Sequence, residues 1–573
     1  MRRLIAFAGL VAAALLCVNG ASALTPVDWG QWGQNAQHEG FIPVAAQSAD
    51  RILADVIYDP FSKKENSPEG TSVHYQTPLV SGNDVFMEFK TGNFSTLKNW
   101  ETQTWGEKRL SWVNGQLTEQ WTFWSDWKPV PYASNQTANG PTWEPVFHAV
   151  LTDAALYVPG AGGSIYKLDR ATGSVLAQIK PFGQSTDRTI FVAGALTADS
   201  AGNVYYNAIH LDKDKPWDTD VRGAWLVKIA PDNSVKTATW ASLTPGTPAA
   251  TDLCTFRFSV TQLPWPPSPD AVPPKVPCGS QRPGINVAPA IAPDGTIYDI
   301  SRAQFIDRWA YVIAIKPDLT PKWVASMRER FMDGCGVETP MKDCRAGTTV
   351  GVEPSENQAG SGRVLDESTS SPTVAPDGSV YYGAYTRWNY AQGHLMHFSK
   401  QGRYLGAYHF GWDITPGIYR HDATYSVVIK DNHYGDVGSY CNDPAICNPD
   451  RSAENPAYPE AYFVTQLSPT LGVEWSWQNT NTDSCTRTAT GITCTTTNPN
   501  GFEWCINAPA IDANGSVYGN SEDGWLYVIG QGGVLKKRAF LEIAIEAAYT
   551  PLSIGADGKI YAENFGHLVA VGQ

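Results

Sequence analysis

The sequence predicts an all-β chain folded as a single β-propeller, with eight blades of four-stranded antiparallel sheet closed by the N-terminal strand. Three observations predict it. First, one unit recurs at 286–298, 369–381, 506–518 and 549–561: Pro, an alternating apolar run, Asp-Gly or Asn-Gly, then Ile/Val-Tyr. Second, alternation with period two marks a half-buried strand, and Asp-Gly or Asn-Gly between two such runs marks a hairpin, because the turn needs positive φ. Third, helix signals are nearly absent, and the 51 glycines and 40 prolines fall in turns. A hairpin repeated at intervals of tens of residues indicates an array or a propeller.

Residues 1–23 read as a secretory leader: Arg2 and Arg3, an apolar core from Leu4 to Val18, and Ala21-Ser-Ala23 before the cut. A lipid anchor on Cys17 is disfavoured by Leu16, where a small residue is expected. The expected destination is the periplasm or the extracellular space. No later stretch approaches the roughly 20 apolar residues of a membrane span. A formal charge of −14 argues against nucleic acid, which calls for basic patches. Beyond the leader lie nine of the ten cysteines, and an oxidising compartment makes disulfides the default. Proximity suggests Cys254 with Cys278, Cys335 with Cys344, Cys441 with Cys447 and Cys485 with Cys494, leaving Cys505 over. No Cys-x-x-Cys spacing supports zinc, redox or haem chemistry.

In chain order, an aromatic strand at Trp29–Trp32 precedes a weak hairpin beginning at Tyr75, which continues through the Asn114-Gly115 turn. Trp100, Trp105, Trp112, Trp121, Trp124 and Trp127 crowd this region. Aromatics in strands mostly pack between sheets, and an exposed sugar-binding platform is the other reading. A clean unit follows at His148, a further one at Ala195, then the Asn286 and Thr369 copies, a degenerate one at Tyr425, and the Ile506 and Tyr549 copies. That makes eight inner hairpins; seven blades is the alternative, because the first and sixth units are weak. The Tyr549 copy lacks an outer strand, and the Trp29–Trp32 strand is expected to supply it. The propeller then occupies 24–573, with disulfide-stapled insertions at about 244–284, 328–362 and 435–460.

The run Gly163-Ser-Ile-Tyr-Lys-Leu-Asp-Arg-Ala-Thr-Gly-Ser-Val-Leu176 resembles the repeat of pyrroloquinoline-quinone (PQQ) type propellers. That superfamily includes quinoprotein dehydrogenases and a non-enzymatic outer-membrane assembly lipoprotein, so the resemblance implies fold and not function. Two features depart from the dehydrogenase pattern. No two cysteines are adjacent, and repeat-ending tryptophans are sparse, with Trp240, Trp323 and Trp475 standing for them.

In a propeller the innermost strands start beside the central channel, so residues just before each repeat proline converge on one mouth. Those positions include His74, Glu144, His148, Arg282, Asn286, Asp366, Glu367, Glu503, Asn507 and Glu546, with His421-Asp422 as a further pair. Several carboxylates together are costly unless a hard cation such as calcium or basic partners such as Arg282, Arg188 or a histidine offset them. The catalytic candidates are His148, His421 and Asp422. Glu144, Asn286, Glu503 and Asn507 are candidate cation ligands, and Arg282, Asn286 and Asn507 candidate cofactor contacts. The plain alternative is a set of solvated rim groups held in loop hydrogen bonds. His394 and His397, three apart in a strand, face opposite sides and make poor joint metal ligands.

Two functions therefore stand. One is an exported binding or scaffold module presenting a small-molecule, glycan or protein site at the funnel. The other is an enzyme: a PQQ- and calcium-dependent alcohol or sugar dehydrogenase, or a carbohydrate-active lyase or hydrolase. The sequence leaves open whether the chain is an enzyme at all, as well as its oligomeric state.

Overall fold

The computed structural model describes residues 24–65, 76–96, 99–133, 139–258, 264, 268–337, 341, 344–367, 370–386, 392–434, 460–504, 506–544 and 551–573. The leader, His74, Cys441, Cys447, Cys505, Glu546 and nearly all of the third insertion lie outside them.

Among the described residues the fold is all-β, with helix confined to two four-residue turns, Ser62–Glu65 and Trp240–Leu243, and one 3₁₀ turn. Ladders of four antiparallel strands follow one another at 79–124, 150–179, 197–239, 290–326, 373–411, 417–479 and 510–540. A last ladder at 553–572 takes its fourth strand from Arg51–Ile57, which runs antiparallel to His567–Gly572. We number these sheets one to eight. The third and fourth each carry one further short strand, and a single bridge between Gly411 and Asn432 joins the fifth to the sixth. The first and sixth units, weakest in the sequence, each form four strands.

The repeated Asp-Gly explains each inner hairpin. Asp294 Oδ1 accepts the backbone N–H of Thr296, Asp377 that of Ser379 and Asp557 that of Lys559. The carboxylate thus holds the turn while the following glycine takes positive φ, as at Gly378 (+82°). The motif tyrosines Tyr298, Tyr381, Tyr518 and Tyr561 are buried in the sheet packing.

The expectation that Trp29–Trp32 completes the last sheet is corrected. Both indoles are fully buried, which an outer strand facing solvent cannot provide, whereas Arg51–Ile57 has the partly exposed pattern of an edge. The N-terminal segment instead visits the innermost strands in chain order. Trp29 pairs with Val80, Gly30 O accepts Leu151 N–H, and the Gln31 amide both donates to and accepts from Ala198. Ala36 O, Gln37 O, Glu39 O and Gly40 O then accept the N–H groups of Ile291, Val374, Ile418 and Ile511, and Gln47 N–H donates to Gly558 O. The Trp32 indole packs with Ala195, Ala288 and Ala508, from the third, fourth and seventh sheets. One segment therefore touches the inner strands of seven sheets and the inner turn of the eighth, and one ring fills the space between distant strands.

Neighbouring sheets are also locked at their outer strands. Trp121 Nε1 donates to Arg170 O at 3.1 Å and Trp323 Nε1 to Lys400 O at 3.0 Å, each indole reaching the turn of the next sheet. Trp475 lies against Gly533 in the same way. Trp323 and Trp475 thus sit where repeat-ending tryptophans are expected, as does Trp121, whereas Trp240 opens the short helix Trp240–Leu243 and packs in the core.

The described disulfides are Cys254–Cys278, Cys335–Cys344 and Cys485–Cys494, the pairs that proximity suggested. The first two staple the insertions at 244–284 and 328–362. No helix among the described residues is long and apolar enough to cross a membrane.

Candidate functional site

Residues just before the innermost strands do meet across sheets, as hydrogen-bond acceptors for one another's backbones. Gln76 Oε1 accepts Ala149 N–H, Ser371 Oγ accepts Ala288 N–H, Thr415 Oγ1 accepts Ser371 N–H and Asn507 Oδ1 accepts Thr415 N–H, all at 2.7–2.9 Å. Asn286 Oδ1 accepts Val146 N–H at 2.9 Å. The amide oxygens of Asn286 and Asn507 are thereby engaged in joining segments of chain.

His148 is fully buried; its Nδ1 donates to Ala149 O and its ring stands edge-on to Trp32. Burial lowers its pKa to about 3, so it is neutral at physiological pH. His421 Nε2 lies 2.8 Å from Ser426 Oγ, which donates to Glu474. The structure sets His421 at the far end of the inner strand Gly417–His421 and Asp422 just beyond it, about 20 Å along the chain from Thr415. They are not with Asn286 and Asn507.

Arg282 is wholly buried and uses all five N–H donors: on Gln304, on the carbonyls of Pro283 and Asn139, and in a fork on Asp366. Burial alone would raise the Asp366 pKa, but Arg282 and Arg302 hold it below the usual range. The repulsion anticipated at the mouth is thus relieved here by arginine pairing. Glu503 accepts a hydrogen bond from Tyr434, and burial raises its pKa.

Glu144 belongs to a second buried cluster. Lys90 Nζ lies 2.9 Å from Asp59, 3.0 Å from Glu65 and 3.1 Å from Glu144, and Trp105 Nε1 donates to the other Glu144 oxygen. One ammonium cannot neutralise this many carboxyls away from water. Burial pushes Glu65 up to about 9 and Glu144 to about 7, while Glu107, paired with Glu88 across the same sheet, rises to about 8. These donors do not match a calcium–quinone site. Asn286 and Asn507 already accept backbone amides, Arg282 has no N–H left, Glu144 is tied to Lys90, and the chain has no adjacent cysteine pair.

Open space lies beside this region, in a cleft of about 410 Å³ among the first three sheets. Asn99–Glu101 and Asp126–Tyr132 form one wall, Gly160–Gly162 the second, and Arg188 with Ile190 and Phe191 the third. Trp100 and Tyr132 meet edge to face, with ring centroids 6.4 Å apart. Lys128 Nζ is tethered to the carbonyls of Trp100, Glu101 and Gln103. Arg188 is exposed and has no carboxylate partner among the described residues. Of the crowded tryptophans, Trp100 and Trp127 border this cleft, whereas Trp105 and Trp121 pack inside and Trp112 donates to Tyr561 of the last sheet. The aromatic crowding was the sequence signal for this site. Arg188, expected beside the carboxylates of the mouth, instead borders this cleft, 61 residues on from Trp127.

Neither protein-family models nor curated protein sequences yield a match to this chain. Solved structures do. A europium-containing methanol dehydrogenase is 10% identical, covers 94% of this chain and 89% of its own, and superposes with a TM-score of 0.51. A quinohemoprotein alcohol dehydrogenase from Comamonas testosteroni (10% identical; 95% and 77% covered; TM-score 0.46) and BamB from Moraxella catarrhalis (11%; 91% and 99%; 0.40) are also similar. At such identities the likeness concerns the fold alone: the chain resembles the PQQ-type β-propeller proteins.

Proposed function

We propose that the chain is an exported binding module: eight blades round one axis, with the last blade completed by Arg51–Ile57 and the 28–47 segment as the hub. The hub's passage along the inner strands supports the ring. The disulfides agree with an oxidising compartment. The observation that carries binding is the cleft, large enough for a few sugar units and lined by both aromatic rings and polar groups. Its ligand class is a glycan. Tyr132 and Phe191, half-buried, offer ring surface to sugar C–H groups with Trp100 packed behind, Asn99, Glu101 and Asp126 bind hydroxyls, and Arg188 accepts an acidic substituent.

Calorimetric titration of the chain with neutral and uronate-containing oligosaccharides tests this reading. Binding that Arg188→Ala and Tyr132→Ala each weaken, with unchanged melting temperature, supports it. Loss of affinity in neither variant overturns it. The dehydrogenase reading is tested in the same preparation by adding PQQ with calcium; stoichiometric uptake with dye reduction on alcohols or aldoses would replace the binding role by a catalytic one.

A further inference from the structure

The insertion at 328–362 reaches the fifth sheet through a cluster that neither the axis nor the cleft uses. His394 and His409 are register partners on adjacent strands, so their side chains leave the same face directly opposite each other. Their rings are parallel, 4.4 Å apart, and Phe331 of the insertion covers the other face of His394 at 3.9 Å. Asp333, two residues along, sets its Oδ2 3.1 Å from His394 Nε2 and 4.0 Å from His409 Nδ1. Both histidines are buried.

We propose that Asp333, His394 and His409 form a metal site for a borderline divalent cation such as zinc, which holds the stapled insertion on the fifth sheet. Two imidazoles and a carboxylate suit zinc, cobalt or nickel, whereas calcium and magnesium favour all-oxygen sets. The ligand atoms all lie within 4.8 Å of one another. A tetrahedral zinc with bonds of about 2.0–2.1 Å needs them about 3.3 Å apart, so binding calls for His409 to swing out of the parallel stack toward Asp333. The outer contacts are those of a ligating histidine. Thr386 Oγ1 lies 3.1 Å from His394 Nδ1 and orients the ring with Nε2 aimed at the carboxylate. The Asp333 backbone is bracketed by the Phe331–Gly360 bridge and by Cys335, which donates to Val352 O and is bonded to Cys344. The carboxylate is thus presented by fixed chain. Three protein ligands leave a fourth position for water. The other such trio, Asp55, Glu542 and His567, has one imidazole and is partly exposed; its His567 is paired with Asp55 at 2.7 Å, as in a surface ion pair.

The test uses untagged full chain, stripped with chelator and titrated with zinc chloride by calorimetry, with metal counted by mass spectrometry. One zinc per chain is expected. Asp333→Asn and His409→Gln, both shown folded by circular dichroism, should each weaken binding at least about 100-fold, and Thr386→Ala about 10–100-fold. Zinc should raise the melting temperature of the parent chain and not of Asp333→Asn. Cobalt loaded into the parent chain should show the visible bands of a four-coordinate nitrogen–oxygen site, a readout that needs no variant. Lack of stoichiometric zinc binding at micromolar metal, absence of the cobalt bands, or unchanged affinity in both folded variants overturns the proposal.

Discussion

Trp121 lies flat against Gly173: a Cβ built on that glycine would stand 2.6 Å from the indole Cδ2. Gly173 also has φ of +71°, in the left-handed region that costs side-chain-bearing residues about 1–2 kcal/mol. Outer tryptophan and turn glycine thus form one joint between the first and second sheets.

Gly173→Ala should destabilise by more than that backbone cost alone. Gly115→Ala is the control, since its φ is +79° and nothing lies within 4 Å of the added carbon. Denaturant unfolding of the two variants checks this, and equal losses would mean the joint contributes nothing.

Removing the hub ring is the second expectation. Trp32 is 2% exposed among alanines of three sheets, so Trp32→Ala leaves a cavity and should cost about 3–5 kcal/mol. A thermal melt reads the loss.

Stability should fall as pH rises from about 4.5 toward 9. Glu144, Glu107 and Glu65 have folded pKa values of about 7, 8 and 9, above the 4.5 of the free side chain. Between the two values the folded chain holds protons that the unfolded chain has released. Each group then removes stability by up to about 1.4 kcal/mol per pH unit until the folded pKa is passed. Glu107→Gln keeps a partner for Gln76 and removes one titration, so its stability should decline less between pH 5 and 8. Buried His38 and His148 work from the other side. Lowered to about 4 and 3, they stay neutral while the unfolded chain gains protons below 6.5, so stability also drops on acidification. The two ranges overlap between about 4.5 and 6.5, and melting temperature against pH should therefore peak there.

Arg282→Met should cost about 3–5 kcal/mol, because Asp366 would lose its fork deep in the protein. The double variant with Asp366→Asn should recover part of the loss. Additive losses would mean that the pair is not coupled.

Much of the architecture is legible in the residues because it is local. Asp294-Gly295 and Asp377-Gly378 specify their turns within a few positions, and Cys254 reaches Cys278 across one hairpin. The opposed directions of His394 and His397 follow from strand alternation; His397 indeed stacks on Tyr381, away from the metal trio. Trp29–Trp32 does not form the outer strand expected of it: aromatic alternation is shared by outer strands and by a buried hub, and here both indoles are buried. The segment's glycines, with Gly33 at φ +59° and Gly40 at +63°, were the signal that its path bends.

The sequence by itself determined the repeating hairpins and their turns, since φ/ψ preference and period-two patterning act over a few residues; the acidic character is composition, and the three described staples join cysteines near in sequence. Only the tertiary structure decided that Arg282 answers Asp366, that Lys90 gathers Glu65 and Glu144, that Arg188 borders the tryptophan cleft and that Asp333 meets His394 and His409. Those neighbours come from different sheets or from loops laid across them. Which residues meet there depends on how each sheet is turned against the next, and that is settled by packing over the whole molecule.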